Sequence, residues 1–255
     1  MLKPTIGVLG FKTSEEVRAA LHAFDSLPAS STGNLLIGVM ANERTLTGKE
    51  ATWPARYPAI EEIASLFPLE SRVLNLIHYS TDELDTLAHQ LGQLIGYGGH
   101  YLDGIQLNVP WPDPKHLTPF KSRCVVLVLS GEALRRADDN PTRVAELLDR
   151  YDGLIKDVVL NGSTSIGVRF DLDLVRGYVE AIRSRHPKLG IGVDGDFSAQ
   201  SVGEVEPLVR HFPSLGLQAC SRLRTPCDER IDLQAMHTYI VAADKQHRKS
   251  KALQF

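Results

Sequence analysis

The sequence contains few cysteines: Cys124, Cys220 and Cys227 are the only three in 255 residues, and their spacing is irregular. An odd number of cysteines without a C-x-x-C motif predicts neither a disulfide framework nor a zinc site. Cys124 lies in an apolar run and is expected to pack as a small hydrophobic residue. We therefore expect no metal and no cofactor.

Long apolar runs and a surplus of basic residues are also missing. No segment reaches the roughly 18 apolar residues that span a bilayer, and the opening MLKPTIGVLGFKTSEE turns acidic too early for a signal peptide. Lysine and arginine number 28 against 31 aspartate and glutamate, which does not indicate nucleic acid. The basic cluster KQHRKSK begins at Lys245, and we expect 245–255 to be a frayed, solvated tail. These features favour a cytoplasmic protein without membrane or nucleic-acid partners, and they leave the oligomeric state open.

The sequence does contain a regular alternation of short apolar runs and helical patterns. The apolar runs predict eight strands, at 5–9, 35–40, 73–77, 105–107, 124–129, 158–160, 191–193 and 217–219. Helical patterns follow these runs, except that the proline-rich VPWPDPKHLTP after the fourth run predicts a loop. The chain is therefore organised as repeated strand-then-helix units.

Eight such units in about 250 residues match a (β/α)8 or TIM barrel of the α/β class. The alternative is an open, doubly wound sheet, but GVLGFKTSEE lacks the G-x-G-x-x-G fingerprint after the first strand. We predict one barrel domain over residues 1–255. Its active site is expected at the carboxyl ends of the strands.

Three predicted strands lead into asparagine residues, Asn42, Asn108 and Asn161. A barrel brings these positions to one rim, so we expect all three side chains to face one cavity and to contact a ligand. An amide cannot exchange protons near pH 7. Amides thus stand where proton-transfer groups are expected.

Several segments occur in an order known from one family of barrels. GVLGFKTSEEVRAA, PARYPAIEEIASLFP and LDGIQLN come from the first four units, and VVLNGSTSIGVRFDLDLV, IGVDGDFSAQSVGEV and GLQACSRLRTP come from the last three. Together they resemble the phosphoribosylanthranilate isomerase family of tryptophan synthesis. The resemblance implies a barrel that binds a small anionic molecule, bearing phosphate or carboxylate, at the strand carboxyl ends.

The positions that differ from the family carry its chemistry. The family's general base is a cysteine that ends the first strand, where this chain has Leu9. Asn161 stands in place of the family's acidic aspartate, and Asn108 replaces a histidine. Arg56 in PARYP matches the family arginine that contacts the substrate carboxylate, which implies a ligand-binding role. The resemblance therefore implies a member that has diverged in catalysis.

Proton-transfer groups remain at two other strand ends. His78 follows the third strand and is a candidate acid or base, with a structural histidine as the alternative. Asp194 and Asp196 alternate at the end of the seventh strand and are expected to share a face. Such a pair can act as acid and base or hold a metal, and it can instead form ion pairs with nearby arginines.

An anion site is expected beside the last three strands, where the family binds phosphate. Gly195 retains one glycine of that site, and Arg222 and Arg224 can bind an anion or pair with the neighbouring aspartates. The loop GSTSIG contains Ser163, and Arg169 follows it; this loop either cradles an anion through N–H groups or is a simple connector. The two aspartates beside the glycine oppose an anion by charge repulsion.

Several functions remain open from the sequence. The first hypothesis is a catalytically divergent isomerase-like barrel that binds a small sugar-phosphate or carboxylate ligand. The second is an active isomerase that uses His78, Asp194 or Asp196 as substitutes, and the third is a barrel that only binds or serves as a scaffold. A metal-dependent aldolase or hydrolase built on the two aspartates is a further alternative.

Overall fold

A closed barrel of eight parallel strands forms the body of the protein. The computed structural model describes residues 3–49, 54–161 and 171–252. Each strand pairs with its neighbours along the chain, and β8 pairs with β1 to close the ring. The strands are β1 (Thr5–Leu9), β2 (Asn34–Asn42), β3 (Val73–Ser80), β4 (Gly104–Leu107), β5 (Cys124–Leu129), β6 (Asp157–Asn161), β7 (Gly190–Asp194) and β8 (Gly216–Ala219). The predicted (β/α)8 barrel is confirmed, and each predicted strand is present.

Helices follow the strands in sequence. The α-helices are α1 (Ser14–Asp25), α2 (Glu43–Leu46), α3 (Leu87–Gly98), α4 (Gly131–Arg135), α5 (Pro141–Leu148), α6 (Leu172–Arg185), α7 (Glu206–His211) and α8 (Leu233–Ala252). Short 3-10 helices span Pro54–Arg56, Ile60–Leu66, Leu84–Thr86, Pro114–His116, Thr118–Phe120, Asp149–Tyr151, Val202–Val205 and Ser221–Leu223. Among the described residues, no helix combines the length and apolarity needed to cross a membrane.

Local sequence signals explain how two of these elements form. The Thr13 side chain accepts a hydrogen bond from the Glu16 N–H at 3.2 Å, and Glu16 accepts one from the Thr13 N–H at 3.0 Å, which gives α1 a capping box. The second helical pattern forms a 3-10 helix instead of an α-helix. Its buried residues, Ile60, Ile63 and Leu66, recur every third position, which is the repeat of a 3-10 helix.

Alternation along the strands separates two apolar regions. One set of side chains packs between the sheet and the surrounding helices. The other set lies inside the barrel and includes Leu9, Leu36, Leu76, Val126 and Val159. Residues two positions away from these on the same strand share the inward direction, which identifies the side chains that reach the barrel axis.

The prediction of a frayed tail over 245–255 is wrong over most of that range. α8 continues to Ala252, and Gln246, His247 and Ser250 are buried on it. The His247 ring donates a hydrogen bond from Nε2 to the carbonyl of Leu215 at 3.0 Å. The basic residues of KQHRKSK occupy a helix with one buried side, and charge pattern alone did not reveal that side.

Candidate functional site

The floor of the carboxyl-terminal mouth is a pair of glutamines. Gln106 on β4 and Gln218 on β8 come from opposite strands, and Gln106 Nε2 donates to Gln218 Oε1 at 2.9 Å across the barrel. Both side chains are almost fully buried. Gln106 Oε1 has no hydrogen-bond partner among the described residues. Leaving a buried amide oxygen unpaired costs about 1–3 kcal/mol of folding free energy. A ligand that donates a hydrogen bond to Gln106 Oε1 would recover this energy.

His78 on β3 rests on this floor. Its Nδ1 lies 3.2 Å from Gln106 Nε2, so Nδ1 accepts when the amide donates, and the neutral ring then carries its proton on Nε2. Burial lowers the pKa of His78 to about 4. The ring is therefore neutral at pH 7 and is a poor general base there. Its geometry suits a hydrogen-bond donor better than the acid or base expected from the sequence.

Asp194 ends β7, on the strand opposite His78. Burial, the largest cause, and the charge of Asp196 together raise the pKa of this carboxyl group to about 7, although the Gly195 N–H opposes the shift. Near pH 7 the group is present in both protonation states. Of the proton-transfer candidates identified in the sequence, Asp194 is the one whose pKa matches the working range of an acid–base catalyst.

Asp196 and Gly195 occupy a different environment from Asp194. Asp196 lies beyond the end of β7 and accepts a hydrogen bond from Arg222 Nε at 2.6 Å, so these two side chains form an ion pair. The Gly195 N–H points to the carbonyl of Gln218 at 3.4 Å, and a side chain at this glycine would overlap the Phe197 ring. Of the two alternatives for Arg222, the structure shows the pairing with an aspartate.

Arg56, Arg224 and Glu229 form a set of hydrogen bonds that we call the Arg56–Glu229 clamp. It joins the end of β1, the 3-10 helix Pro54–Arg56 and the loop after β8. Arg224 is buried, and its Nη2 donates to the carbonyls of Leu9 and Gly10 at 2.9 and 3.0 Å. Its Nη1 donates to the carbonyl of Glu229 at 2.8 Å. The Glu229 carboxylate in turn accepts from Arg56 Nε at 2.9 Å and from its Nη2. Arg224 thus holds the loop after β8 against the end of β1.

The three asparagines lie at the same rim, as expected from their strands. Asn42 ends β2, Asn161 ends β6, and Asn108 follows β4 directly. Each lies an even number of positions from an inward residue on its strand, so each shares the inward direction. Asn42 also caps α2, because its Oδ1 accepts from the Thr45 N–H at 2.9 Å. A ligand-binding role for the three amides remains a prediction.

Tyr57 and Cys220 lie beside Asn42 and Arg224 at the mouth. The Tyr57 hydroxyl is hydrogen-bonded to the Asn42 side chain, and burial is the main cause that raises the pKa of Tyr57. Burial also raises the pKa of the Cys220 thiol, which lies 3.9 Å from Arg224 Nη2. At neutral pH both groups carry their protons, so they present a neutral hydroxyl and a neutral thiol.

Two predicted ligand residues, Ser163 and Arg169, lie outside the described residues. Within 3–49, 54–161 and 171–252, no three His, Cys, Asp or Glu side chains are grouped as a metal site. The glutamine floor is the feature that the sequence analysis missed. GIQL in β4 and GLQA in β8 both place glutamine inside an apolar strand, and this shared pattern on opposite strands was the available signal.

Comparisons with known proteins agree with the fold. No family model matches the chain, and no curated protein matches its sequence. The structure is similar to the tryptophan synthase alpha subunit from Legionella pneumophila str. Paris, with a TM-score of 0.60 and 11% identity over 97% of this chain and 93% of that chain. It is also similar to the catalytic domain of a hyperthermophilic chitinase from Pyrococcus furiosus, with a TM-score of 0.60 and 7% identity over 97% of this chain and 96% of that chain. At these identities the similarity shows a shared TIM-barrel fold.

Proposed function

We propose that this protein is a barrel enzyme that binds a small phosphorylated or carboxylated molecule at the carboxyl ends of its strands and transfers a proton with Asp194. The observation that carries the proposal is the Asp194 carboxyl group, whose pKa is raised to about 7 by burial and by Asp196. A group with this pKa accepts and returns a proton with comparable ease near neutral pH. The reaction class that fits is an isomerase-like or lyase-like proton shift next to a carbonyl.

The remaining polar groups suit substrate binding. The amides of Asn108 and Gln106 offer donors and acceptors, and the neutral His78 ring offers an N–H. Hydroxyl and carbonyl groups of a small polyhydroxylated molecule are complementary to such a lining. These side chains would orient the substrate, and the single titrating carboxyl would move the proton.

Arg56 supports a carboxylate on the ligand. The Glu229 carboxylate forms an ion pair with the Arg56 guanidinium. In the family that this chain resembles, the matching arginine binds the substrate carboxylate. Because a guanidinium fork matches any carboxylate, a substrate can take the place of Glu229 without a change in the pairing chemistry. An anionic ligand therefore binds in exchange for an internal anion.

The reaction of phosphoribosylanthranilate isomerases is not the one that this site favours. Leu9 is buried and apolar where the family has its base, and Asn161 stands where it has its acid. Each such group contributes about 10²–10⁴-fold to the rate. We expect freshly generated phosphoribosylanthranilate to show no turnover at a family-like rate in a fluorescence assay. Ordinary turnover would favour the active-isomerase hypothesis, with Asp194 as the substitute group.

Deuterium exchange tests the proposed chemistry across several classes of substrate at once. A panel of aldose and ketose phosphates and of 2-oxo and 2-hydroxy acids is incubated with the protein in D₂O, and exchange at carbon is followed by NMR. We expect exchange with at least one class, and a loss of about 10²-fold or more in Asp194→Asn. Asp149→Asn, an exposed aspartate on the outer surface, is the matched control. A panel without exchange would favour the non-enzymatic binding barrel.

A further inference from the structure

A second cavity opens at the amino-terminal end of the barrel, away from the proposed active site. Its volume is about 360 Å³, within the lower range of small-molecule sites. Its deep wall consists of buried apolar residues from four strands: Leu36, Leu76, Val126 and Val159. Partly exposed polar residues surround the entrance: Thr5, Asn34, Asp157 and Ser214, with the exposed Lys3 outside them.

Glycines create this space. TIM barrels ordinarily fill their interior with layers of bulky branched side chains. In this barrel Gly190, Gly192 and Gly216 line the cavity on β7 and β8. A Cβ atom at Gly190 would lie 1.4 Å from Asp157 Oδ1, and one at Gly216 would lie 2.5 Å from Thr5 Oγ1. The glycines therefore make room for the polar side chains that face the cavity.

Asp157 is a partly buried carboxyl group in this cavity without a counter-charge. Among the described residues, none forms a hydrogen bond or an ion pair with its side chain, and no charged group shifts its pKa. Burial raises the pKa of Asp157. Removing a carboxylate from water without a partner is unfavourable, so the group favours a ligand that brings a positive charge.

The cavity is separate from the carboxyl-terminal mouth. Gln218, whose amide accepts from Gln106 across the barrel, also lines the top of the cavity. Gln218 thus borders both compartments. The hydrogen bond between Gln106 and Gln218 lies across the barrel between this cavity and Asp194 at the opposite end of β7.

We propose that the amino-terminal cavity is a binding site for a small organic amine. Its ammonium group pairs with Asp157 near the entrance, where Thr5 and Asn34 offer additional oxygen acceptors. Its apolar part contacts the buried wall of Leu36 and Val126. Two features support this class of ligand together: an unpaired carboxylate at the entrance and an apolar interior behind it.

The test compares a charged probe with a neutral probe of the same shape. Benzylammonium and benzyl alcohol are titrated separately into the protein at pH 8, and the amide signals of Gly190, Gly192 and Gly216 are followed by NMR. We expect benzylammonium to shift these signals and to bind about tenfold more tightly than benzyl alcohol, since a hydrogen bond to a charged group is stronger than one between neutral groups. Equal affinity for the two probes, or unchanged glycine signals, overturns the proposal.

Variants locate the effect at the carboxylate. Asp157→Asn keeps the shape of the side chain, and we expect it to bind both probes equally; a retained preference for benzylammonium contradicts the role of Asp157. Asp82→Asn, at an exposed aspartate beyond the opposite end of β3, should leave the tenfold preference unchanged. Thermal melting of each variant checks folding independently of binding. Failure of these titrations leaves the deuterium exchange at Asp194 unaffected, because the two sites are separate.

Discussion

At the scale of single residues, environment gives identical side chains different chemistry. Asp149 is exposed and bonded to Arg185 at 2.6 Å, and this partner lowers its pKa. Asp194 has the same carboxyl group, but burial and the nearby Asp196 raise its pKa to about 7. The difference arises because desolvation disfavours the charged form, whereas a guanidinium favours it.

The raised pKa of Asp194 makes the stability of the protein depend on pH. The unfolded chain loses this proton near the ordinary value of 3.8 and the folded protein near 7, so the stabilising contribution is present below pH 3.8 and is lost as the pH rises towards 7. Asp194→Asn removes this dependence. We expect its free energy of unfolding, relative to wild type, to rise by up to about 4 kcal/mol between pH 4 and pH 7.5 in urea titrations.

Asp149→Asn provides a control of opposite sign. Because Arg185 lowers the pKa of Asp149, its contribution is present above the unfolded pKa and is lost on acidification. We expect this variant to lose a little stability at neutral pH and none in acid. A flat difference between Asp194→Asn and wild type across the pH range would contradict the raised pKa of Asp194.

Residue roles could be predicted from the sequence only where position along a strand determines them. Asp194 and Asn161 were correctly placed at the mouth because the end of a parallel strand fixes their location. The role of Arg224 was not accessible, because the carbonyls of Leu9 and Gly10 that it binds lie about 215 residues away along the chain. The Gln106 to Gln218 bond was missed although the eight-strand order places β4 opposite β8, because the bond becomes evident only once both glutamines are known to point inward.

At the scale of elements, the loops around the mouth are held by the Arg56–Glu229 clamp. Glu229 adopts a left-handed backbone with φ of 59°, which is uncommon for a residue with a side chain. Its carbonyl and its carboxylate both accept hydrogen bonds, from Arg224 and Arg56 respectively. The strained conformation persists because the surrounding arginines fix it from two sides.

Removing the charge of Glu229 should loosen both loops. In Glu229→Gln the ion pair with Arg56 is lost, whereas the carbonyl bond to Arg224 is retained. We expect severalfold faster hydrogen exchange over 54–58 and 225–230, with a loss of at most about 1 kcal/mol in global stability, because the pair is partly exposed. Glu61→Gln, an exposed glutamate on the second unit, is the control. Unchanged exchange in both loops would show that the clamp does not hold them.

The strands were predictable as elements, but one helix type was not. Apolar runs bounded by polar turns identify buried parallel strands regardless of their partners. The segment PAIEEIASLF has apolar residues compatible with both α and 3-10 spacing, and its burial against α3 and α1 selects the threefold repeat. The helix type of such a short segment depends on the elements that pack against it, and the local sequence does not show which elements these are.

At the scale of the whole molecule, the last helix closes the ring. α8 packs against α1 and α7, so the last helix lies beside the first. Deletion of 245–255 removes the His247 bond to Leu215 and the buried Ser250. We expect a loss of about 2 kcal/mol and a melting temperature lower by about 4–8 °C.

A surface substitution separates packing from charge in that experiment. Lys245 is exposed on α8, and Lys245→Gln removes one positive charge while the buried face stays intact. We expect its melting temperature to match that of wild type. If the deletion also melts like wild type, the segment behaves as the solvated tail that its composition suggested.

The glutamine pair across the barrel has a consequence for how such a protein can change over time. Because Gln106 and Gln218 bond across the barrel, the mouth above them and the cavity below them are lined by largely different residues. Substitutions without shared contacts have additive effects. Substitutions that change the chemistry at one end can therefore leave ligand binding at the other end unchanged. A single chain can evolve two specificities independently, as long as Gln106 and Gln218 are both retained.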